Sequence, residues 1–192
     1  LPNTDQVYGH GTFVAGVIAG TGARSGGKYD GIAPGANIVG LNAGDLTLSF
    51  VLSGFDYLLS RGANLNVRVV NCSFSANTVF DLNDPVDVAA KRLTEHGINV
   101  VFSAGNTGPG LRTLNPYAIA PWVISVGATD AKGRLASFSG RGSFGSSLYR
   151  PTLVAPGVSL VGLRSAGISL TGTLGVLGAD TARLTPAELP YY

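Results

Sequence analysis

Two side chains in this sequence have the type and setting to move a proton or hold an anion. His10 opens the segment His10-Gly11-Thr12-Phe13-Val14-Ala15-Gly16, which puts one imidazole at the head of a stretch of small residues. An imidazole can take a hydroxyl proton near neutral pH and return it to a leaving amine. Asn106 follows the apolar run Val100-Val101-Phe102-Ser103-Ala104 and leads into a Gly-Pro turn. A carboxamide at the C-terminal end of a strand can aim an N–H at the oxyanion of an acyl-transfer transition state, a contribution of about 3 kcal/mol. Taken alone, each residue has an ordinary reading that wins. His10 then merely caps a helix, and Asn106 is a turn residue ahead of Thr107-Gly108-Pro109.

The elements around these residues read as an α/β body. Residues 36–41, 67–73, 98–104, 122–128 and 152–155 are short Val- and Ile-rich runs, apolar on both faces, as expected of parallel strands covered on both sides. Residues 48–59 carry apolar side chains at 48, 51, 52, 55, 58 and 59, one stripe at helical spacing. Residues 84–96 begin with Asp84 as an N-cap and Pro85 in the first turn, and Gly97 follows as a stop. Residues 10–20 form a third helix, in which Gly16 and Gly20 allow close backbone approach through the middle of the body. Gly20 to Asp30 reads as a polar surface loop. Alternation of strand and helix predicts a three-layer α/β/α body with a mostly parallel sheet. Residues 163–192 lose the strand pattern and receive no assignment.

Taken in order, these segments add up to more than any one of them. His10-Gly11-Thr12-Phe13-Val14-Ala15-Gly16 is followed by Gly31-Ile32-Ala33-Pro34-Gly35-Ala36 and Val70-Asn71-Cys72-Ser73-Phe74-Ser75. Then come Ser103-Ala104-Gly105-Asn106, Ser125-Val126-Gly127-Ala128 and Val154-Ala155-Pro156-Gly157-Val158. The ordered series resembles the subtilisin-like serine proteases (subtilases), from about residue 9 to about residue 162. The resemblance implies a subtilisin-like fold and makes His10 the general base and Asn106 the oxyanion donor. It implies that Ser73, Phe74, Ser75, Ala104 and Gly105 hold an extended peptide by backbone pairing and line the pocket for the residue before the cut. Two positions depart from the family pattern: Phe13 stands where a second His is usual, and Ser75 where Gly is usual.

A full triad also needs a carboxylate and a nucleophilic serine. Asp5 sits in Thr4-Asp5-Gln6, at the wrong spacing for the family's aspartate turn. The string nearest to the serine motif is Gly172-Thr173-Leu174, and the residues from Gly175 to Asp180 lack the Pro and helix that should follow. Residues 1–192 are therefore expected to be a single partial catalytic domain, with the Asp segment before Leu1 and the Ser segment beyond Tyr192. On that expectation the chain alone is inactive. The competing reading is a catalytically dead relative that binds peptides or acts as a scaffold, favoured by Ser75 and by the Leu174 string. A dinucleotide-binding domain is a third reading, from Gly105-Asn106-Thr107-Gly108-Pro109-Gly110. It is weak, because the Gly-x-Gly-x-x-Gly order is not met and Pro109 and Pro116 interrupt the helix that should begin there.

Composition narrows the partners. The 192 residues are 45% hydrophobic and only 12% charged, with 28 Gly, which suits a packed body with many tight turns and excludes disorder. The net charge of +2 comes from 13 basic and 11 acidic residues with no basic run, so neither nucleic acid nor an anionic membrane is expected. No apolar stretch reaches the roughly 18 residues of a spanning helix. The expected partners are a peptide or protein substrate and the remaining segments of the same protease. The lone Cys72 lies in a strand pattern and reads as a buried core residue, and His96 in a last helical turn reads as structural. No cofactor is required by the resemblance. It leaves room for structural calcium at loop residues Asp30 or Asp45, although neither has a ligand cluster in sequence. It also implies an extracellular or cell-envelope location.

Overall fold

The computed structural model describes residues 9–42, 47–163 and 165. The chain divides into two compact units, one formed by Leu1–Asn42 with Ser159–Tyr192 and the other by Ala43–Val158.

The larger unit is built on a four-stranded sheet. Strands β1 (Val69–Cys72), β2 (Asn99–Ser103), β3 (Ile124–Thr129) and β4 (Leu153–Pro156) lie in that order, every neighbouring pair parallel. The register sets Cys72 beside Phe102, Ser103 beside Val126 and Ala128 beside Ala155. All four C-terminal ends therefore lie along one edge. The segments leaving β1 and β2 there are Ser73–Ser75 and Ala104–Asn106.

Two helices cover this sheet. Helix α2 (Leu48–Arg61) buries Val51, Phe55 and Leu58, a stripe that recurs every three to four residues. Helix α3 (Pro85–Glu95) buries Val86, Ala90 and Leu93, and it packs on both α2 and β2. The start of α3 follows from its residues. The Asp84 carboxylate accepts the Val86 N–H at 2.8 Å, and Pro85 fills a first-turn position that needs no donor. Its end follows from Gly97, whose φ of +78° carries the chain out of the helix. Between helices and sheet lies one apolar core in which Val100, Phe102, Ala90 and Leu93 are fully buried.

The smaller unit holds helix α1 (His10–Ala19). Its last carbonyls are taken up by the stretch after the loop. Ile32 N–H donates to Val17 at 3.0 Å, Ala33 to Ile18 at 2.7 Å and Gly31 to Gly20 at 2.7 Å. Close approach occurs where the glycines predict it: a β-carbon on Gly16 would lie 2.6 Å from Leu163 Cγ.

One expectation needs correction. Residues 36–41 form no strand: they are exposed and pair with no strand among the described residues. In the sheet, Val69 of β1 is 55% exposed and Val154 of β4 is 51% exposed, and each of these strands has one hydrogen-bonded neighbour among the described residues.

Candidate active site

The segment Ala104–Asn106 is held by the backbone that surrounds it. Ala104 N–H donates to Val126 at 2.8 Å, which continues the β2–β3 ladder one residue past the strand. The Gly105 carbonyl accepts from Gly140 N–H at 2.9 Å, and Gly108 N–H donates to Phe138 at 2.8 Å. Further along, Thr113 N–H donates to Arg141 at 2.9 Å. Gly105 has φ +93°, and a β-carbon there would lie 3.0 Å from the Asn115 nitrogen. Glycine is required twice over, by the dihedral and by the space. Asn106 comes next, exposed, and its carboxamide has no hydrogen-bond partner among the described residues. It is thus a free donor carried on a loop tied down on both sides.

The parallel segment leaving β1 is fixed differently. Ser73 Oγ accepts from Asn71 Nδ2 at 2.9 Å. The Phe74 ring turns inward, edge-on to Phe102 at 5.6 Å and to Tyr117 at 6.5 Å, so Phe74 adds its side chain to the core and leaves its backbone at the sheet edge. Ser75 is exposed, yet its hydroxyl donates to Asn115 Oδ1 at 3.1 Å. Asn115 has no motif around it in the sequence to mark it. It is 2% exposed and touches both departing segments, donating from Nδ2 to Phe74 O at 2.8 Å and to Ser103 O at 3.0 Å.

His10 is the first residue of α1, exposed, and preceded by Gly9 at φ +70° with no side-chain cap. It lies in the smaller unit, while Ser73, Phe74, Ser75, Ala104, Gly105 and Asn106 share the edge of the larger one. Phe13 lies beside Gly162, where a β-carbon would come 2.7 Å from its ring. His96 closes α3, its ring Nδ1 2.8 Å from the Arg92 carbonyl.

The remaining candidates are quickly placed. Cys72 is 2% exposed, and burial pushes its thiol up to about 12, so it forms no thiolate at neutral pH. Among the described residues no α-helix follows β2. The loop runs to a single 3-10 turn at Pro116–Ala118, which removes the support for a dinucleotide cradle at Gly105–Gly110. Asp5, Asp45 and the Gly172-Thr173-Leu174 string lie outside the described residues. Among the described residues no group of three or more His, Cys, Asp or Glu side chains gathers where a metal ion could sit, and no helix is long and apolar enough to cross a membrane.

Comparison with known proteins points to one family. A family profile described as "Subtilase family" matches residues 2–184. Serine protease AprX of Bacillus subtilis is 32% identical over 174 residues, covering 82% of this chain and 39% of AprX. Subtilisin-like protease 2 of Trichophyton verrucosum is 35% identical over 147 residues, covering 73% of this chain and 32% of that protein. The chain therefore spans well under half the length of these curated relatives. Among solved structures, Sphericase superposes with a TM-score of 0.67 at 24% identity, covering 83% of this chain and 56% of its own. The patellamide maturation protease PatA gives a TM-score of 0.63 at 29% identity, covering 80% and 54%. With a parallel sheet, helices packed on it and a family match along nearly its whole length, this chain belongs to the subtilase family and has the three-layer α/β/α subtilisin-like fold.

Proposed function

We propose that this chain carries the base, the oxyanion donor and the peptide-binding edge of a serine endopeptidase, and that the nucleophile and the orienting aspartate come from segments outside the 192 residues. The observation that carries the reading is the Asn106 carboxamide. It is exposed, unheld by any described residue, and rooted in a loop tied by backbone hydrogen bonds at Ala104, Gly105 and Gly108. A donor carried on a backbone tied down before the reaction can stabilise charge that develops only in the transition state, which is what raises kcat.

In this reading His10 takes the proton of a serine hydroxyl as the oxygen attacks the peptide carbonyl. The carbonyl oxygen becomes an oxyanion and accepts an N–H from Asn106. His10 then gives its proton to the departing amine, leaving an acyl-enzyme. Water repeats the cycle, with its proton passing to His10 and on to the serine oxygen. Residues Ser73–Ser75 and Ala104–Gly105 hold the substrate as an added extended strand. Their parallel exit from β1 and β2 supports this, since it leaves two backbone edges side by side at one end of the sheet. The substrates are peptides or proteins, and an extracellular or cell-envelope location goes with the reading.

The test is a polypeptide that joins this stretch to the Asp- and Ser-bearing segments. It should be labelled by a fluorophosphonate. Asn106→Ala should lower kcat by about 10²–10³ with KM held, and His10→Ala by on the order of 10⁶. A folded polypeptide of that kind that resists the label would end the assignment. The 192-residue chain alone should hydrolyse nothing; turnover by it, abolished in His10→Ala, would overturn the expectation that its nucleophile lies elsewhere.

A further inference from the structure

The β1–β2 ladder stops at Cys72 and Phe102. Beyond those residues another bridge joins the two departing segments. The Asn115 carboxamide donates one N–H to Phe74 O and the other to Ser103 O, at 2.8 and 3.0 Å. Its oxygen accepts the Ser75 hydroxyl at 3.1 Å and the Tyr117 N–H at 3.2 Å. A carboxamide has two donors and two acceptor sites, and all four are used. The amide orientation is fixed as well, because two partners are carbonyls and one is a backbone N–H; a flipped amide would face those three with the wrong group. The main chain of Asn115 adds a third tie, its N–H donating to Ala104 O at 2.8 Å. With 2% of its surface exposed, Asn115 is a buried clamp rather than a substrate ligand.

We propose that Asn115, with Ser75 as its matched partner, is a positioning residue that sets the separation of segments 73–75 and 103–106 and thereby the side-chain selectivity of the slot between them. The proposal rests on reading those segments as the peptide-binding walls. It also gives the serine at position 75 a role: its hydroxyl satisfies an acceptor that a glycine there would leave without that donor. An unmade hydrogen bond at a buried amide costs more than the same bond contributes when made. A wall that loses its tie to Asn115 therefore shifts instead of tolerating the gap.

The experiment follows backbone amides of the 192-residue chain by NMR while it is titrated with acetyl-Ala-Ala-Pro-X-amide peptides, X being Ala, Leu, Phe or Lys. In the wild type, peptides should perturb the amides of 73–75 and 104–106. Asn115→Ala should change the affinity ratios among the four peptides by about fivefold and Ser75→Ala by about twofold, the scale of one or two hydrogen bonds. Ser75→Thr, which keeps the hydroxyl, should restore the wild-type ranking. Without peptide, Asn115→Ala should speed hydrogen exchange at 73–76 and 104–107 while leaving β3 protected.

A uniform loss of affinity for all four peptides, with ratios unchanged in both variants, would reduce Asn115 to a structural residue and overturn the proposal. If Asn115→Ala does not fold, the Ser75→Ala and Ser75→Thr pair decides. Absence of any wild-type peptide response at the two walls would instead sink the peptide-binding reading, and the exchange measurement would then judge the clamp by itself.

Discussion

The indole N–H of Trp122 donates to the main-chain carbonyl of Asp87 at 3.1 Å, so the first turn of α3 is pinned at a residue whose own carboxyl group has no hydrogen-bond partner. That carboxyl is 1% exposed. Burial raises it from the ordinary value of 3.8 to about 7, and the negative charges of Asp84 and Asp81 push the same way. Between pH about 4 and about 7 the folded protein holds the Asp87 proton and the unfolded chain does not. The native state then binds more protons, so stability falls as pH rises through that window and levels off above it. The rise from 3.8 to about 7 sets an upper limit of about 4 kcal/mol on this loss. Asp87→Asn removes the titration. Urea unfolding across pH 4 to 8 should show the variant gaining on the wild type as pH rises, with the gap constant above about 7. Parallel curves for the two proteins would place the titration elsewhere.

Asp84 contributes to the same start of α3 in two opposing ways. Its side chain caps the helix through Val86 N–H, while its charge raises Asp87. The two effects separate by substitution. Asp84→Asn keeps an accepting oxygen at the cap and deletes the charge, so the pH midpoint attributed to Asp87 should move down with little change in stability at pH 4. Asp84→Ala removes the cap as well and should be about 1 kcal/mol less stable than Asp84→Asn at every pH. Chemical denaturation of both variants at pH 4 and pH 8 gives the comparison.

How much of this was legible in the sequence depended on how local the cause was. Asp84, Pro85 and Gly97 bracket α3 because capping acts within a few residues of the helix end. The Val-rich runs marked β2 and β3, which have neighbours on both sides. The same pattern misled at 36–41, where Ile38, Val39 and Leu41 record a preference for burial but say nothing about whether a partner strand lies beside them. At the candidate site, Gly105 and Asn106 were readable from their order in the chain. Asn115 was not. An Asn before Pro116 reads as a turn residue, and its task is set by Ser75 and Phe74, forty and forty-one positions away. The departure from glycine at Ser75 was visible, but which way its hydroxyl faces is decided by that long-range contact.

Cys72 provides a probe of the larger unit. It sits at the end of β1, 2% exposed, with its thiol raised to about 12 by burial. Both access and ionisation therefore oppose alkylation in the folded state. Iodoacetamide at pH 8 should leave the native chain unmodified over a period in which a urea-unfolded sample reacts fully. Because β1 lies against β2 in the core, modification in partial urea should follow global unfolding and not a local opening. Mass-spectrometric modification rates that rise well before loss of the helical circular-dichroism signal would show that the β1 edge opens independently.

Gly105 and Gly97 allow backbone strain to be separated from crowding at the site. Both have positive φ, +93° and +78°, a region in which a side chain costs about 1–2 kcal/mol. They differ in their surroundings. A β-carbon on Gly97 meets nothing within 4 Å, whereas one on Gly105 would lie 3.0 Å from Asn115 N and 3.3 Å from Asn115 Cβ. Gly97→Ala should therefore lose only the dihedral cost. Gly105→Ala should lose more, because the contact can be relieved only by moving Asn115, whose hydrogen bonds tie down both walls, or by moving the Gly105 backbone that carries Asn106. Equilibrium urea unfolding of the two variants measures the difference, and hydrogen exchange at 104–107 reports where it is felt. Equal destabilisation, with no local change around Asn106, would mean that the loop absorbs an added methyl group and that Asn115 does not hold it at a fixed distance.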